Sequence, residues 1–305
     1  MAGSGFMIWG GWQPCPLDYR TNEGQTKLEQ AMTRHIAFIG AGNMAGALIG
    51  GLLADGVPPG QLIATDPSAE KCSALSEATG IRTLQDNREA AALADTLVLA
   101  VKPQILRGVA EELAASVQQR RPLVISIAAG IRCDSLQPWL GGGVALVRTM
   151  PNTPAIIQSG ATVLYATPEV SPAQRERAES LMRSVGLAQW IEDESLMDAV
   201  TALSGSGPAY LFLVMEALEA AARDLGLTPE TAHLLTLQTA FGAARMALES
   251  TDPPEVLRAR VTSPGGTTER ALGTLEDGGI RDLFKRALTA ARDRSIELSR
   301  SLGGV

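Results

Sequence analysis

The clearest candidate for a ligand-binding segment is the glycine-rich loop GAGNMA at residues 40–45. It follows the apolar run HIAFI and leads into the helical stretch MAGALIGGLLADG. Gly40 permits a tight turn, Gly42 lets the backbone approach a pyrophosphate, and Ala45 allows close packing of helix on strand. Free N–H groups at the start of such a helix bind phosphate charge. We interpret the loop as a dinucleotide-binding loop, with a purely structural glycine turn as the alternative.

The next apolar run, QLIATD, ends at Asp66, 24 residues beyond Gly42. An acidic side chain at about this spacing accepts hydrogen bonds from the adenosine ribose and favours NAD(H), because a carboxylate repels a 2′-phosphate. Ser68, Lys71 and Asn87 could offset that repulsion and admit NADP(H). The alternative for Asp66 is an ordinary turn residue in ATDPS.

Two further loops, VKPQ and SIAAG, close apolar runs and are expected at the carboxyl edge of a sheet, where open α/β sheets bind ligands. Pro103 and the small residues from Ala128 to Gly130 suit a backbone that lies against a flat ring. Lys102 could face the cofactor or be a solvated lysine.

The sequence is poor in general bases. It has two histidines, His35 and His233, and no lysine between Lys102 and Lys285. Oxidation of an alcohol normally needs a base such as His or Lys. A protonated C=N bond is already electrophilic, so an imine reductase need only bind it, orient it and exclude water, with a hydroxyl or water supplying the proton. The shortage favours imine reduction over hydroxyacid oxidation.

A second glycine-rich loop, VTSPGGTTER, occupies residues 261–270. Gly265 and Gly266 precede Thr267 and Thr268 at an apparent helix start, where hydroxyls would cap the helix and N–H groups would point outward. Such a loop suits a carboxylate. A plain capped turn between helices is the alternative.

The elements that must position these loops alternate between apolar strand-like runs and helical stretches. Strand-like runs occupy residues 35–41, 61–66, 95–103, 122–130 and 144–151, and two more occupy 160–167 and 187–192. This alternation predicts an α/β fold with a Rossmann-like, mostly parallel sheet. After Asp193 only helical stretches follow, at about 195–203, 208–225, 228–249 and 280–300, which predicts an all-helical second domain.

Two domains are expected because a single core stops growing at roughly 250–300 residues. We predict a dinucleotide-binding domain at 32–193 and a helical substrate and dimerisation domain at 194–305. Residues 1–31 are interpreted as a disordered or non-native extension, with Met32 as the native start. The stretch PAYLFLVMEALEAAARDLG is apolar around most of its circumference, so it is covered either by a partner subunit or by a monomeric bundle.

Composition excludes several classes of protein. The net charge of −7 disfavours nucleic acid and anionic membrane surfaces. The three cysteines are isolated, which fits no zinc or other metal site and no disulfide framework but does fit a reducing compartment. Since neither a membrane-spanning run nor a signal peptide is evident, we expect a soluble cytoplasmic protein.

Six motifs together resemble the pyrroline-5-carboxylate reductase family, in that family's order: FIGAGNMAGALIGG, AVKPQ, ISIAAGI, RTMPNTPA, DAVTALSGSGPAY and VTSPGGTT. The resemblance extends over about residues 34–300. It implies reduction of 1-pyrroline-5-carboxylate to L-proline by NADP(H), with NAD(H) also admitted, as the last step of proline biosynthesis. It also implies a homodimer, which could assemble further into a decamer, with active sites completed between subunits.

The resemblance also assigns residues. Those expected to bind the cofactor are Gly40, Gly42, Asn43 and Met44 at the pyrophosphate, Asp66, Ser68 and Asn87 at the ribose, Ala100, Val101, Lys102, Pro103, Ala128 and Gly130 along the cofactor, and Met150, Asn152 and Thr153 at the nicotinamide. Those expected to bind the substrate are Val261, Ser263, Gly265, Gly266, Thr267 and Thr268. By the same resemblance, Thr268 is expected to lie by the imine nitrogen as hydrogen-bond partner or proton donor.

Two other functions compete with this interpretation. One is another enzyme of the same architecture, such as a β-hydroxyacid dehydrogenase or a reductase of different cyclic imines. The other is a non-catalytic dinucleotide sensor with a dimerising helical domain. The missing lysine and the SPGGTT loop argue against the first, and an intact substrate loop argues against the second.

Overall fold

The computed structural model describes residues 35–303, so the predicted extension at 1–31 and the predicted start at Met32 lie outside the described residues. Contacts divide the described chain into two units. The helical unit is Ala209–Lys285, and the sheet unit is the chain up to Pro208 together with the residues from Arg286 onward.

An eight-stranded sheet forms the centre of the sheet unit. Its strands are β1 Ile36–Ile39, β2 Leu62–Thr65, β3 Arg82–Leu84, β4 Thr96–Leu99, β5 Leu123–Ser126, β6 Leu146–Met150, β7 Gly160–Ala166 and β8 Gly186–Trp190. The order is β3-β2-β1-β4-β5-β6-β7-β8, and every neighbouring pair is parallel except β6 with β7. The predicted fold class is confirmed. The short strand β3 was not predicted, because its three residues are only partly buried and form no apolar run.

Helices cover both faces of this sheet, as a parallel sheet requires. They are α1 Asn43–Ala54, α2 Ala69–Thr79, α3 Asn87–Leu93, α4 Pro103–Arg120, α5 Cys133–Trp139, α6 Pro172–Arg183 and the single turn α7 Met197–Val200. Successive strand residues point to opposite faces. Ile39 therefore packs in one core cluster with Leu106 of α4, while Phe38 packs in the other with Leu48 of α1.

Neighbouring glycines in α1 predict opposite effects on stability. A Cβ at Gly51 would lie 2.5 Å from the carbonyl oxygen of Ser184, whereas one at Gly50 would meet nothing within 4 Å. We expect Gly51→Ala to lower the free energy of unfolding by about 1–3 kcal/mol through overpacking. Gly50→Ala should raise it by about 0.5–1 kcal/mol through helix propensity. Denaturant unfolding of the two variants checks the pair, and equal effects would contradict this packing of α1.

The helical unit consists of helices joined by short loops. They are α8 Gly207–Asp224, whose first two residues belong to the sheet unit, α9 Pro229–Glu249, α10 Pro254–Arg260 and α11 Thr267–Asp277, followed by α12 Ile280–Gly303, which begins in this unit and ends in the sheet unit. No strand follows Trp190 in the described part of the chain. The helix α10 was not predicted, since seven residues are too few to show a helical period.

The apolar helix α8 has no buried residue in the single chain. Leu211 is 61% exposed and Phe212 is 64% exposed. The interpretation of α8 as the centre of a monomeric bundle is therefore wrong. Among residues 35–303 nothing covers its apolar surface, which leaves the partner subunit as the remaining interpretation.

Candidate active site

The glycine-rich loop lies where β1 ends and α1 begins. Gly40 has φ +108°, in the region that glycine alone adopts readily, and a Cβ there would lie 2.7 Å from the carbonyl oxygen of Ala100. Its N–H donates to the carbonyl of Thr65 at 2.9 Å. The loop thus lies between the ends of β2 and β4, and only glycine fits at position 40.

Gly42 is the N-cap residue of α1 and has extended backbone with φ −81°. No side chain caps the helix, its first turn contains no acidic residue, and no atom lies within 4 Å of where a Cβ of Gly42 would be. The N–H groups of Asn43 and Met44 therefore begin the helix with open space beside them. This cradle fits the pyrophosphate of a dinucleotide in charge and in shape.

Asp66 follows β2 and is only 8% exposed. One carboxylate oxygen accepts the N–H of Ser68 at 3.0 Å, and the other accepts the N–H of Ala41 and the ammonium of Lys71, each at 3.4 Å. These are the contacts of a turn residue that also holds the glycine-rich loop. These donors offset part of its negative charge, so its repulsion of a 2′-phosphate is weaker than that of an unpaired carboxylate.

Two polar side chains near Asp66 are held by hydrogen bonds, one to the end of β2 and one to the start of α2. The hydroxyl of Thr65 donates to Oδ1 of Asn87 at 2.7 Å, which leaves the Asn87 amide NH2 as the donor for a ligand. Ser68 caps α2 by accepting the N–H of Lys71 at 3.3 Å. Ser68, Lys71 and Asn87 are thus the groups available for the ribose side of a cofactor.

The loops after β4, β5 and β6 reach the same edge, because these strands run parallel to β1. We call this the cofactor edge. Lys102 is exposed and Pro103 begins α4. Gly130 is buried and has φ +76°, a region that glycine adopts readily. A Cβ there would make only ordinary contacts, at 3.7 Å from Leu302 and 3.8 Å from Leu298 of α12, so the backbone conformation is what favours glycine.

Asn152, beyond β6, has both ends of its amide bonded within the protein. Its Oδ1 accepts the N–H of Ala161 at 2.8 Å, and its Nδ2 donates to the carbonyl of Ser204 at 3.1 Å. The neighbouring Gly205 leaves room for Met150, since a Cβ there would lie 2.4 Å from the Met150 methyl carbon. The MPN and SGSG motifs therefore touch each other at the cofactor edge. Thr153, next along the chain, is exposed at the start of a 3-10 turn.

Sequence reasoning missed the charged groups that hold the segment carrying Ser204. Arg148, only 4% exposed in β6, donates to Glu194 at 2.8 Å, and the same carboxylate oxygen accepts the N–H of Cys133 at 2.8 Å. Burial and the nearby Glu194 carboxylate raise the pKa of the Cys133 thiol well above its usual range, so it stays protonated and inert. An arginine inside the apolar run VALVRTMP was the available signal, because a buried charge needs a partner.

The second glycine-rich loop belongs to the helical unit. Val261 ends α10 and is exposed, and Ser263 accepts the N–H of Gly266 on its carbonyl at 3.0 Å. Gly265 adopts the left-handed region with φ +68°, which lets the chain turn into α11.

The cap of α11 differs from the prediction. The N-cap residue is Gly266, which has no side chain, and the helix starts at Thr267, so the expectation that the threonine hydroxyls cap it is wrong. Instead, the carboxylate of Glu269 reaches back and accepts the N–H of Gly265 at 2.7 Å. The loop thus already binds a carboxylate of its own chain, and the N–H groups of Thr267 and Thr268 remain at the open helix end.

Two family models match this chain. The model described as pyrroline-5-carboxylate reductase dimerisation matches residues 194–298, and the one described as NADP oxidoreductase, coenzyme F420-dependent, matches residues 35–130. The pyrroline-5-carboxylate reductase of Pseudomonas aeruginosa is 52% identical over 271 residues, covering 89% of this chain and 99% of that protein. The chain belongs to the pyrroline-5-carboxylate reductase family.

Other members of the family agree. The Escherichia coli enzyme of the same name is 38% identical, covering 88% of this chain and all of that protein. A pyrroline-5-carboxylate reductase structure from Coxiella burnetii is 50% identical with a TM-score of 0.85, covering 87% of this chain and 98% of that chain. The Plasmodium falciparum structure with NADP bound is 29% identical with a TM-score of 0.78, covering 88% and 99%. The predicted family is confirmed.

Membership of the family accounts for the two units of the fold but not for single side chains. Among the described residues, no helix has both the length and the apolar character needed to cross a membrane. The residue roles assigned by resemblance stay predictions.

Proposed function

We propose that this chain reduces 1-pyrroline-5-carboxylate to L-proline by hydride transfer from NAD(P)H, the last step of proline biosynthesis. The observation that carries the proposal is the 52% identity to the Pseudomonas aeruginosa reductase over nearly the whole of both chains. The glycine-rich loop at the cofactor edge and the carboxylate-binding loop before α11 supply the two kinds of site that this reaction needs.

For the cofactor, Gly40, Gly42, Asn43 and Met44 would hold the pyrophosphate through backbone N–H groups and close approach. A reduced nicotinamide supplies the hydride when bound. The match to an NADP oxidoreductase model and the donors that offset part of the Asp66 charge support NADP(H) as the main cofactor, with NAD(H) as the second. The roles proposed along the rest of the cofactor belong to Ala100, Val101, Lys102, Pro103, Ala128, Gly130, Met150, Asn152 and Thr153.

For the substrate, the carboxylate would be held at the start of α11, with the N–H groups of Thr267 and Thr268 as donors and Ser263 beside them. The imine carbon gains the hydride and the imine nitrogen carries the proton. The Thr268 hydroxyl would hold that proton or relay it from water. The remaining contacts proposed for the loop come from Val261, Gly265 and Gly266.

Removing the charge of Glu269 is expected to improve substrate binding. The Glu269 carboxylate occupies the Gly265 N–H and places a negative charge beside the proposed position of the substrate carboxylate. Glu269→Gln keeps an oxygen acceptor for Gly265 but removes the charge. We expect KM for pyrroline-5-carboxylate to fall about three-fold to five-fold with kcat unchanged, as expected for one like charge in an exposed site. Steady-state kinetics at low ionic strength measures it, and a raised KM would show that the carboxylate serves substrate binding.

The proposed assembly is a homodimer formed through the helical domain, with a decamer as the proposed higher state. The exposed apolar residues of α8 and the dimerisation family match support the dimer. We propose a domain boundary between residues 193 and 194, where the match to the dimerisation model begins, although contacts group the chain up to Pro208 and the residues from Arg286 onward with the sheet unit. We also propose that the protein is cytoplasmic. Sedimentation of the purified chain at several concentrations measures the assembly.

A spectrophotometric assay with pyrroline-5-carboxylate and either NADPH or NADH tests the function. We expect oxidation of the reduced cofactor that depends on the substrate, with equimolar proline formed. The matched control is a cyclic imine without the carboxylate, which should turn over poorly. Equal turnover of that imine would support a different imine reductase, and turnover of a β-hydroxyacid with the oxidised cofactor would support the dehydrogenase alternative. Cofactor binding with no turnover would support a sensor.

A further inference from the structure

The segment that carries Ser204 is a linker at residues 193–206, between β8 and α8. Its central charge, Asp198, is 2% exposed. One carboxylate oxygen accepts from Arg132 at 2.9 Å, and the other accepts from the hydroxyl of Ser295 in α12 at 2.7 Å. A buried charge that is paired in this way contributes little to stability beyond what apolar residues would give. What it adds is a fixed position for the backbone that carries it.

A second carboxylate holds the linker one turn earlier. Glu194 bonds to Arg148 and to the N–H of Cys133. Glu194 and Asp198 are four residues apart and pair with arginines on two different elements, the β6 strand and the loop before α5. The linker is therefore attached at two points, which restrains both its rotation and its translation.

Two hydrogen bonds within the linker restrain its backbone between Asp198 and Ser204. The hydroxyl of Thr201 donates to the carbonyl of Met197 at 2.8 Å, and that of Ser204 donates to the carbonyl of Val200 at 3.1 Å. Residues 201–205 form a single π-helical turn, a geometry frequent at functional sites. A shift at Asp198 is consequently transmitted to Ser204.

At its carboxyl end the linker contacts the loop after β6 at the cofactor edge. The carbonyl of Ser204 holds the amide of Asn152, and Gly205 lies against Met150, so the loop after β6 takes its position from the linker. Ligands of open α/β sheets bind beyond such strand ends. The adenosine side of this edge, at β1 and β2, has no bond to the linker among the described contacts.

We infer that Asp198 is a positioning residue for the reaction: by bonding Arg132 and Ser295, it holds the Ser204 carbonyl that orients Asn152 at the nicotinamide end of the cofactor edge. The inference rests on the proposed function for its reaction but on the described contacts for its geometry. Changes at Asp198 are therefore expected to affect binding of the nicotinamide end of the cofactor and to leave binding of the adenosine end unchanged.

The test is Asp198→Asn, which keeps the shape and removes the charge. We expect kcat to fall about ten-fold or more, as for reacting groups displaced by a fraction of an ångström. Affinity for 2′,5′-ADP, which carries the adenosine end alone, should be unchanged, whereas the fluorescence of bound NADPH, which reports on the nicotinamide, should change. Asp95→Asn is the matched control, because it breaks a pair with Arg120 at the opposite edge of the sheet and should leave kcat unchanged.

A double-mutant cycle with Asn152→Ala makes the test specific. If Asp198 acts through Asn152, adding Asp198→Asn to that variant lowers kcat no further, while losses of thermal stability still add. Independent, multiplying losses in kcat would overturn the inference, as would an equal loss of 2′,5′-ADP affinity.

Should Asp198→Asn fail to fold, Ser295→Ala removes one of the two hydrogen bonds to the carboxylate. This variant must show a smaller fall in kcat with unchanged affinity for 2′,5′-ADP, and an unchanged kcat would overturn the inference. The binding measurements also separate this inference from the proposed function. A wild-type protein that does not turn over pyrroline-5-carboxylate defeats the function, while the fluorescence and 2′,5′-ADP measurements still decide the role of Asp198.

Discussion

Replacing Thr268 by alanine is expected to lower kcat about a hundred-fold, the effect of losing a positioned proton donor or hydrogen-bond partner. Alanine keeps the backbone N–H at the second position of α11, so the proposed carboxylate contact survives and only the hydroxyl is lost. Affinity for NADPH should stay nearly unchanged, because the cofactor loop belongs to the sheet unit. Steady-state kinetics together with NADPH fluorescence titration measures both quantities.

Two variants control this result. Thr268→Ser retains a hydroxyl and should restore most of the rate. Thr274→Ala removes a hydroxyl from the same helix, one that only bonds the carbonyl of Arg270, and should leave kcat unchanged. An unaltered rate in Thr268→Ala would remove the hydroxyl from the mechanism and leave water as the proton source.

Replacing Gly42 by valine is expected to weaken dinucleotide binding by about a hundred-fold or more, which corresponds to losing one or two charge-assisted hydrogen bonds. Gly42 has extended backbone with φ −81°, which valine adopts without strain, and no protein atom lies within 4 Å of the new Cβ. The fold should therefore be unaffected. The side chain would fill the space in which we propose that the pyrophosphate lies.

The matched control is Gly50→Ala, which lies two turns further along α1, meets nothing within 4 Å and should leave affinity unchanged. Calorimetric titration with NADPH and with 2′,5′-ADP gives the affinities, and thermal unfolding of the free proteins verifies the fold. Wild-type affinity in Gly42→Val would mean that the loop does not bind the pyrophosphate.

The sequence by itself determined the features that depend on neighbours along the chain. Apolar runs such as those of β1 and β5 bury all or most of their residues, so their composition alone predicts parallel strands. The glycine at position 40 follows from a turn that only glycine can make. The six motifs that together identified the family are also short contiguous segments, so they can be read from the sequence without the structure.

Only the tertiary structure decided which partners the polar groups take. Asp66 was placed at the ribose by its spacing, yet its carboxylate bonds Ala41, a residue distant in sequence. The threonine hydroxyls were expected to cap α11, yet its N-cap residue is Gly266, and the Glu269 carboxylate accepts the N–H of Gly265 instead.

The ion pairs Arg132–Asp198 and Arg148–Glu194, each with one buried member, join segments separated by 66 and 46 residues. Local patterns report propensity and burial, which depend on a residue and its near neighbours. Which opposite charge a side chain pairs with depends on how the whole chain packs, because packing brings residues that are distant in sequence together.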